Sequence, residues 1–245
     1  GVFSIFLLFC LISSLEYLGN SKNIKDNFLT SVYVRLFIVF IAIGLITTFS
    51  RIGNFLLLST MLFYMINEIF FKKEKNNIFR NIILIIVLID IFILGIYFGS
   101  SRIIDRFYLL EAEFSEIANI EINFSRFQVI KFAFYQIYNY LFFGYGPGSF
   151  EILFQINYPN LTNKYANHAH SDLFQFIGEF GLFGFGLIFL SIFSFFTKTS
   201  YNLKNNLLLF YLIILLFFDF SLHIPFIQFL FVIFLTFNQK FIKLS

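Results

Sequence analysis

The sequence predicts an all-α fold, a polytopic transmembrane helical bundle of about seven spans with one long connection that carries amphipathic helices. Three observations predict it. Of 245 residues, 59% are hydrophobic and only 13% charged, with a mean hydropathy of +0.83, whereas a soluble domain carries about a quarter charged residues to solvate its surface. Apolar runs near the length that a bilayer core of about 30 Å asks of a helix, about 17 to 25 residues, recur along the chain. The Lys-rich connections between those runs alternate with ones in which Lys is sparse or outweighed by acidic residues, which is the charge asymmetry of a multi-pass membrane protein. No composition shift or internal repeat marks a second domain, so residues 1–245 read as a single integral membrane domain.

The elements follow in order. Residues 2–18 are the first apolar run, with Cys10 inside it. A Lys-bearing connection (Lys22, Lys25) leads to 32–49, and the short polar turn at Ser50 and Arg51 leads to 53–71. Lys72, Lys73, Lys75 and Arg80 precede the run 82–99. The segment 100–172 is mildly acidic, as a translocated loop should be, and holds two amphipathic stretches. In one, Ile103, Phe107, Leu110, Phe114 and Ile117 recur at steps of three and four. In the other, 126–143, Gln128, Lys131, Tyr135, Gln136 and Asn139 share a stripe. The last runs are 173–196, 207–222 and 225–239, with Lys198 and Lys204 after the first of them and Lys240 and Lys243 at the end. Putting every Lys-rich connection on the cytoplasmic side leaves Ser50-Arg51, 100–172 and the turn at 222–224 on the opposite face. The chain opens on Gly1 rather than Met and with its first end on that opposite face, so a fragment lacking N-terminal spans is expected.

Composition excludes several classes. A single Cys cannot build a disulfide framework or a thiolate cluster. A net charge of +3 without a long basic run offers no surface for nucleic acid.

Charges are so scarce that each polar residue near the non-Lys face is a candidate, since an ionisable group at membrane depth costs about 2.5 to 3.5 kcal/mol. Arg51, in Thr47-Thr48-Phe49-Ser50-Arg51, is either an interfacial side chain that snorkels to headgroups or an anion receptor whose planar fork grips phosphate. Gly144-Tyr145-Gly146-Pro147-Gly148-Ser149-Phe150 opens like a dinucleotide loop but lacks the flanking strand and the acidic partner that such a loop needs. A helix C-cap followed by a turn is the plain alternative, and in both cases Gly144, Gly146 and Gly148 allow close backbone approach to an anion. His168-Ala169-His170-Ser171-Asp172 has a metal-ligand spacing, yet Leu173 stands where the hydrolase version has a further His. The other readings are a general base on a hydroxyl nucleophile, or a polar loop in which Ser171 or Asp172 caps the next helix. Asp219 and His223, four residues apart, would share a helical face as a mutual pair ending before Pro225. Arg51, Arg126, the glycine turn, His168, His170, Asp219 and His223 are all assigned to one membrane face, and such convergence marks an active site.

Taken together these segments resemble the O-antigen ligase and polymerase family of bacterial envelope glycan assembly. The resemblance runs through Ser50-Arg51, Ser125-Arg126, the stretch from Leu141 to Phe150, Ala169-His170-Ser171-Asp172-Leu173-Phe174-Gln175, Glu179-Phe180-Gly181 and Asp219 to Pro225. It implies an inverting, metal-independent and cofactor-free transfer at the periplasmic face of the bacterial inner membrane. The donor would be a polyprenyl-diphosphate-linked glycan, and the acceptor a hydroxyl of a glycan, of lipid A core or of a protein. By the same resemblance His170 is the general base, and Arg51 and Arg126 hold the diphosphate. Gly144, Gly146, Gly148, His168, Asp172, Glu179, Asp219 and His223 are expected around the substrate. Ser171 stands where the family commonly has Asn. Polymerase and ligase are not distinguished. A transporter or lipid flippase would need polar residues through the bilayer midplane, where Asp90 is the clearest, and a non-catalytic membrane partner would leave His170 dispensable.

Overall fold

The computed structural model describes residues 1–19, 28–71, 79–93, 126–158, 166–198 and 203–237. These residues are helical or in turns, with no strand among them. The chain divides into two compact units, Gly1–Tyr108 and Leu109–Ser245.

In the first unit, α1 (Val2–Gly19) packs against α2 (Phe28–Ile46) and α3 (Arg51–Ile66). A π-helical turn (Asn67–Phe71) extends α3, and α4 is described over 79–93. The buried side of α1 is Ile5, Leu8, Phe9, Ile12 and Leu15, the spacing that puts residues on one helical face. Close packing with α3 is set at Gly53, where an added Cβ would lie 2.6 Å from the Ser4 Cβ. Hydroxyls inside these helices bond back to carbonyls of their own turn, Ser14 to Cys10 and Thr60 to Leu56, so these two hydroxyls need not face lipid unpaired. The α2–α3 connection is short because Phe49 takes a positive φ of 50° and Ser50 caps α3, its hydroxyl accepting from the Gly53 N–H at 3.2 Å.

The second unit contains α5 (Arg126–Asn139), α6 (Phe150–Asn157), α7 (Asp172–Lys198), α8 (Leu203–Phe218), a 3₁₀ turn (Ser221–His223) and α9 (Pro225–Phe237). α5 packs on α7. Val129, Phe132 and Ala133 of α5 form a core with Phe150 and Phe154 of α6 and with Ala166 and Ala169. The helix expected over 126–143 stops at Asn139, and Gln136 of its polar stripe is buried, with its amide oxygen accepting from Asn139. The stretch 103–117 lies outside the described residues.

Among the described residues, three helices are long and apolar enough to cross a membrane: Leu29–Ile46, Arg51–Phe70 and Asp172–Ser194. The expectation of about seven spans goes beyond these three. Val2–Leu18, Asn205–Phe218 and Pro225–Thr236 are apolar helices of shorter length, and the expected span 82–99 is described only through residue 93. α8 ends at Phe218, four residues before the end of the expected run 207–222, for a local reason. Asp219 and Ser221 bond to each other and Pro225 starts a new helix, so the residues between are withdrawn from both.

α7 is not continuous. Gly181 has φ 69° and ψ 175°, which breaks the helix into two. In an unbroken helix the Leu182 and Phe183 N–H groups would donate to the Gly178 and Glu179 carbonyls. Instead the turn after α5 is spliced into the gap. Leu182 N–H donates to Leu141 O (2.8 Å) and Phe183 N–H to Phe142 O (3.3 Å). The Gly178 carbonyl accepts from Tyr145 N–H (2.9 Å) and the Glu179 carbonyl from Gly146 N–H (3.1 Å). Two lost helix bonds are thus replaced by four bonds to the turn, which is how a broken helix can persist in an apolar environment. Both backbones must lack a Cβ at the crossing. A Cβ on Gly144 would lie 2.3 Å from the Glu179 carbonyl oxygen, and one on Gly181 would lie 2.2 Å from that of Phe142. Both glycines also hold positive φ, which L side chains rarely adopt.

Candidate active site

The first half of α7 carries Asp172, Gln175, Phe176 and Glu179, at spacings that stack them on one face. All three polar members are buried in a helix whose neighbours are Phe, Leu and Ile. Each therefore needs a partner, because an unpaired buried carboxylate is expensive. The α8–α9 connection supplies it. Its 3₁₀ turn presents the Leu222 N–H to Asp172 Oδ2 at 2.7 Å and His223 Nδ1 to Asp172 Oδ1 at 2.6 Å. The other ring nitrogen, His223 Nε2, stands 3.4 Å from Glu179 Oε2. The His223 ring stacks on Phe176 with centroids 4.1 Å apart. The Asp172 N–H donates to the Asp219 carbonyl at 2.9 Å, a second tie between α7 and the connection.

An imidazole with a carboxylate at each nitrogen is satisfied only when both nitrogens carry protons. Burial opposes that charge on His223, but the hydrogen bonds and charges of Asp172 and Glu179 outweigh it and push the pKa up from 6.5 to about 9. His223 is therefore an imidazolium at neutral pH.

Glu179 is held from two further directions: Oε2 accepts from the Gly148 N–H and Oε1 from the Gln175 amide, both at 2.9 Å. The glycine turn thus reaches the site through one backbone N–H, delivered by the splice at Gly181. The Tyr145 ring rests on Gly178, and its phenol is pushed up by burial and by the Glu179 charge, so it stays neutral.

The loop before α7 brings in two more imidazoles. His168 stacks on Phe220, centroids 5.3 Å apart and rings 13° from parallel, and Gln175 Nε2 stands 3.4 Å from its Nδ1. His170, half-buried, meets the same Phe220 edge-on at 5.5 Å. Its φ of 58° is rare for a residue with a side chain and reverses the chain just ahead of α7. Between the two histidines, the Ala169 N–H donates to Gln175 Oε1 at 3.0 Å.

A family model described as O-antigen ligase matches residues 36–190, more than half of the chain. The chain belongs to the O-antigen ligase family. Membership brings with it membrane-embedded glycosyl transfer of the ligase or polymerase type, acting on a lipid-linked glycan and an acceptor. The matched residues include Arg51, Arg126, the glycine turn, both loop histidines and the carboxylates of α7, and end before Asp219 and His223. Neither a search of curated proteins nor one of solved structures gave a match.

Of the residues singled out from sequence, the fold brings His168, Asp172, Glu179, His223 and Gly148 into one network, with His170 joined to it across Phe220. Gly144 and Gly146 lie in the splice rather than at the carboxylates. Asp219 does not pair with His223. Its carboxylate accepts from Ser221 while His223 turns to α7, because the residues between them form a 3₁₀ turn and not an α-helical one. Asp172 does not cap α7 either, since its two oxygens are committed to Leu222 and His223. Arg51, in the first unit, is exposed at the first residue of α3, and Arg126, in the second unit, is the first residue of α5. Among the described residues no three His, Cys, Asp or Glu side chains gather in the geometry of a metal site. Sequence reasoning missed Gln175, Phe176 and Phe220. Gln175 left one signal: it stands three residues after Asp172 and four before Glu179, on their face of an otherwise apolar helix.

Proposed function

We propose that this protein transfers a glycan from a polyprenyl diphosphate carrier to an acceptor hydroxyl at the periplasmic face of the bacterial inner membrane, with His170 as general base and Arg51 and Arg126 as the diphosphate receptors. In this reading the apolar helices form seven spans and 100–172 faces the periplasm. The acceptor hydroxyl gives its proton to His170 as its oxygen bonds to the anomeric carbon. The bond from that carbon to the diphosphate breaks with inversion, and the diphosphate leaves with the electron pair.

The observation that carries the reading is the gathering of Asp172, Gln175, Glu179, His223 and the two loop histidines in a chain otherwise so poor in polar side chains. Buried polar networks in an apolar bundle mark functional sites. His223 already carries a proton at each nitrogen, so the base falls to the loop before α7. The strained backbone of His170 is the kind found at active sites. Arg51 sits where a cation is disfavoured by the positive N-terminal pole of its own helix, an arrangement that suits an anion bound there. Departing negative charge facing fixed cations lowers the barrier.

The test replaces His170 with Ala and, separately, Arg51 and Arg126 with Ala in the full-length protein, expressed in a strain deleted for the gene. Surface glycan should be lost in each case while the protein still accumulates in the membrane. Wild-type glycan from His170→Ala would refute the assignment of the base. A stranded carrier-linked chain in the deletion strain would indicate a ligase, and single repeat units a polymerase.

A further inference from the structure

The geometry points to Gln175 as a positioning residue that assigns opposite roles to the two loop histidines, by holding His168 as an Nε2–H imidazole and fixing the backbone between His168 and His170. The inference rests on the transfer reading of this site and adds a residue to it.

The amide of Gln175 has no freedom in its orientation. Its Oε1 faces the Ala169 N–H at 3.0 Å, which can only donate, and its Nε2 faces the Glu179 carboxylate at 2.9 Å, which can only accept. A flipped amide would set a donor against a donor and an acceptor against an acceptor, in a site where Gln175 is 2% exposed and water cannot substitute. The second proton on Nε2 is the one that meets His168 Nδ1 at 3.4 Å. Nδ1 must therefore accept, and in its neutral form His168 carries its proton on Nε2. The charged groups around this amide are Glu179 and the imidazolium of His223. Glu179 is itself held by Gly148 and His223, so the amide is anchored at a fixed point.

The consequence reaches both rings. His168 has one nitrogen committed and its face laid on Phe220, which leaves it a hydrogen-bond donor from Nε2. His170 lies one residue beyond the Ala169 N–H that Gln175 holds, so the left-handed turn carrying its ring is pinned from inside the helix it precedes. One imidazole donates and the other is left to accept the acceptor's proton. Gln175→Glu keeps the acceptor for Ala169 but sets an acceptor against His168 Nδ1 and a second carboxylate beside Glu179. Gln175→Leu removes all three contacts.

The experiment is ¹⁵N NMR of histidine-labelled full-length protein in lipid nanodiscs, without ligand, with His168 assigned by comparison with His168→Asn. The wild type should show His168 with Nδ1 unprotonated and Nε2 protonated in its neutral form. Gln175→Glu should move the proton to Nδ1, and Gln175→Leu should give a mixture of the two tautomers. Glycan transfer should fall about 10- to 100-fold in both, by analogy with the range seen when the hydrogen-bond partner that orients a metal-bound imidazole is removed. A wild-type His168 protonated on Nδ1, or a tautomer indifferent to both substitutions, overturns the inference. The wild-type spectrum alone can do so, whether or not the variants fold. Transfer retained by His170→Ala with the tautomer as expected would instead sink the transfer reading and leave the Gln175 assignment standing.

Discussion

Substitution of Gly181 by Ala separates the fold of α7 from the assembly of its site. Keeping the break would cost Ala about 1 to 3 kcal/mol, because φ 69° with ψ 175° is a conformation essentially confined to glycine. It would also press Cβ to 2.2 Å from the Phe142 carbonyl oxygen and 2.6 Å from the Gly144 nitrogen, both backbone atoms that no rotamer change can move aside. If the turn withdrew while the break stayed, Leu182 and Phe183 N–H would each be left unpaired, at about 1 to 3 kcal/mol apiece. Straightening avoids all of these terms, since Leu182 and Phe183 can then donate to Gly178 and Glu179 as in any helix. The expected outcome is a continuous α7 with the turn 141–148 released and the Gly148 bond to Glu179 lost. A hydrogen bond to a charged group contributes about 1.5 to 3 kcal/mol, so transfer should drop by about one to two powers of ten if that bond sets the position of Glu179. The assay pairs glycan transfer with amide hydrogen exchange over 141–148, which should lose protection while helicity is kept or rises. Gly186→Ala is the control, since a Cβ there meets nothing within 4 Å. Wild-type transfer together with wild-type protection in Gly181→Ala would refute the splice.

Gly144→Ala meets the same crossing from the other side, 2.3 Å from the Glu179 carbonyl oxygen, and should reproduce the exchange pattern of Gly181→Ala. Replacing His223 by Gln should remove a pH-dependent part of stability. A histidine raised from 6.5 to about 9 stabilises fully below pH 6.5 and loses that contribution as pH rises through 9. The contribution corresponds to about 3 kcal/mol at about 1.4 kcal/mol per pKa unit. The thermal midpoint of the wild type in detergent should therefore fall between pH 6.5 and 9, and a His223→Gln protein with the same slope would refute the imidazolium. Arg51→Lys should recover only part of the transfer lost in Arg51→Ala, because an ammonium cannot grip a diphosphate with two parallel bonds. Full recovery by Lys would reduce Arg51 to a point charge.

Much of the helical architecture is legible in composition and period. The runs starting at 2, 53, 173 and 225 begin within two residues of α1, α3, α7 and α9, since apolar content of that length has few other solutions in lipid. Arg126 was also placed at the head of a helix, where α5 begins. The break at Gly181 was not legible. Glycine is common in apolar helices, and Gly178, Gly184 and Gly186 sit in the same helix without breaking it. What distinguishes Gly181 is the turn that crosses it, some forty residues earlier in the chain.

The sequence by itself determined a membrane protein with its scarce polar residues gathered in a few short segments, because the solvation cost of a charge is a property of each residue and needs no partner to be read. The shared face of Asp172 and Glu179 is also a local matter, since it follows from their spacing once the run is a helix. Only the tertiary structure decided whom they meet. Asp219 lies four residues from His223 and was the natural local partner, yet the connection folds as a 3₁₀ turn and sends His223 to carboxylates 51 and 44 residues away. Gln175 gained its place in the same manner: its amide has two ends, and which backbone and which carboxylate they join depends on segments that approach only when the chain is packed.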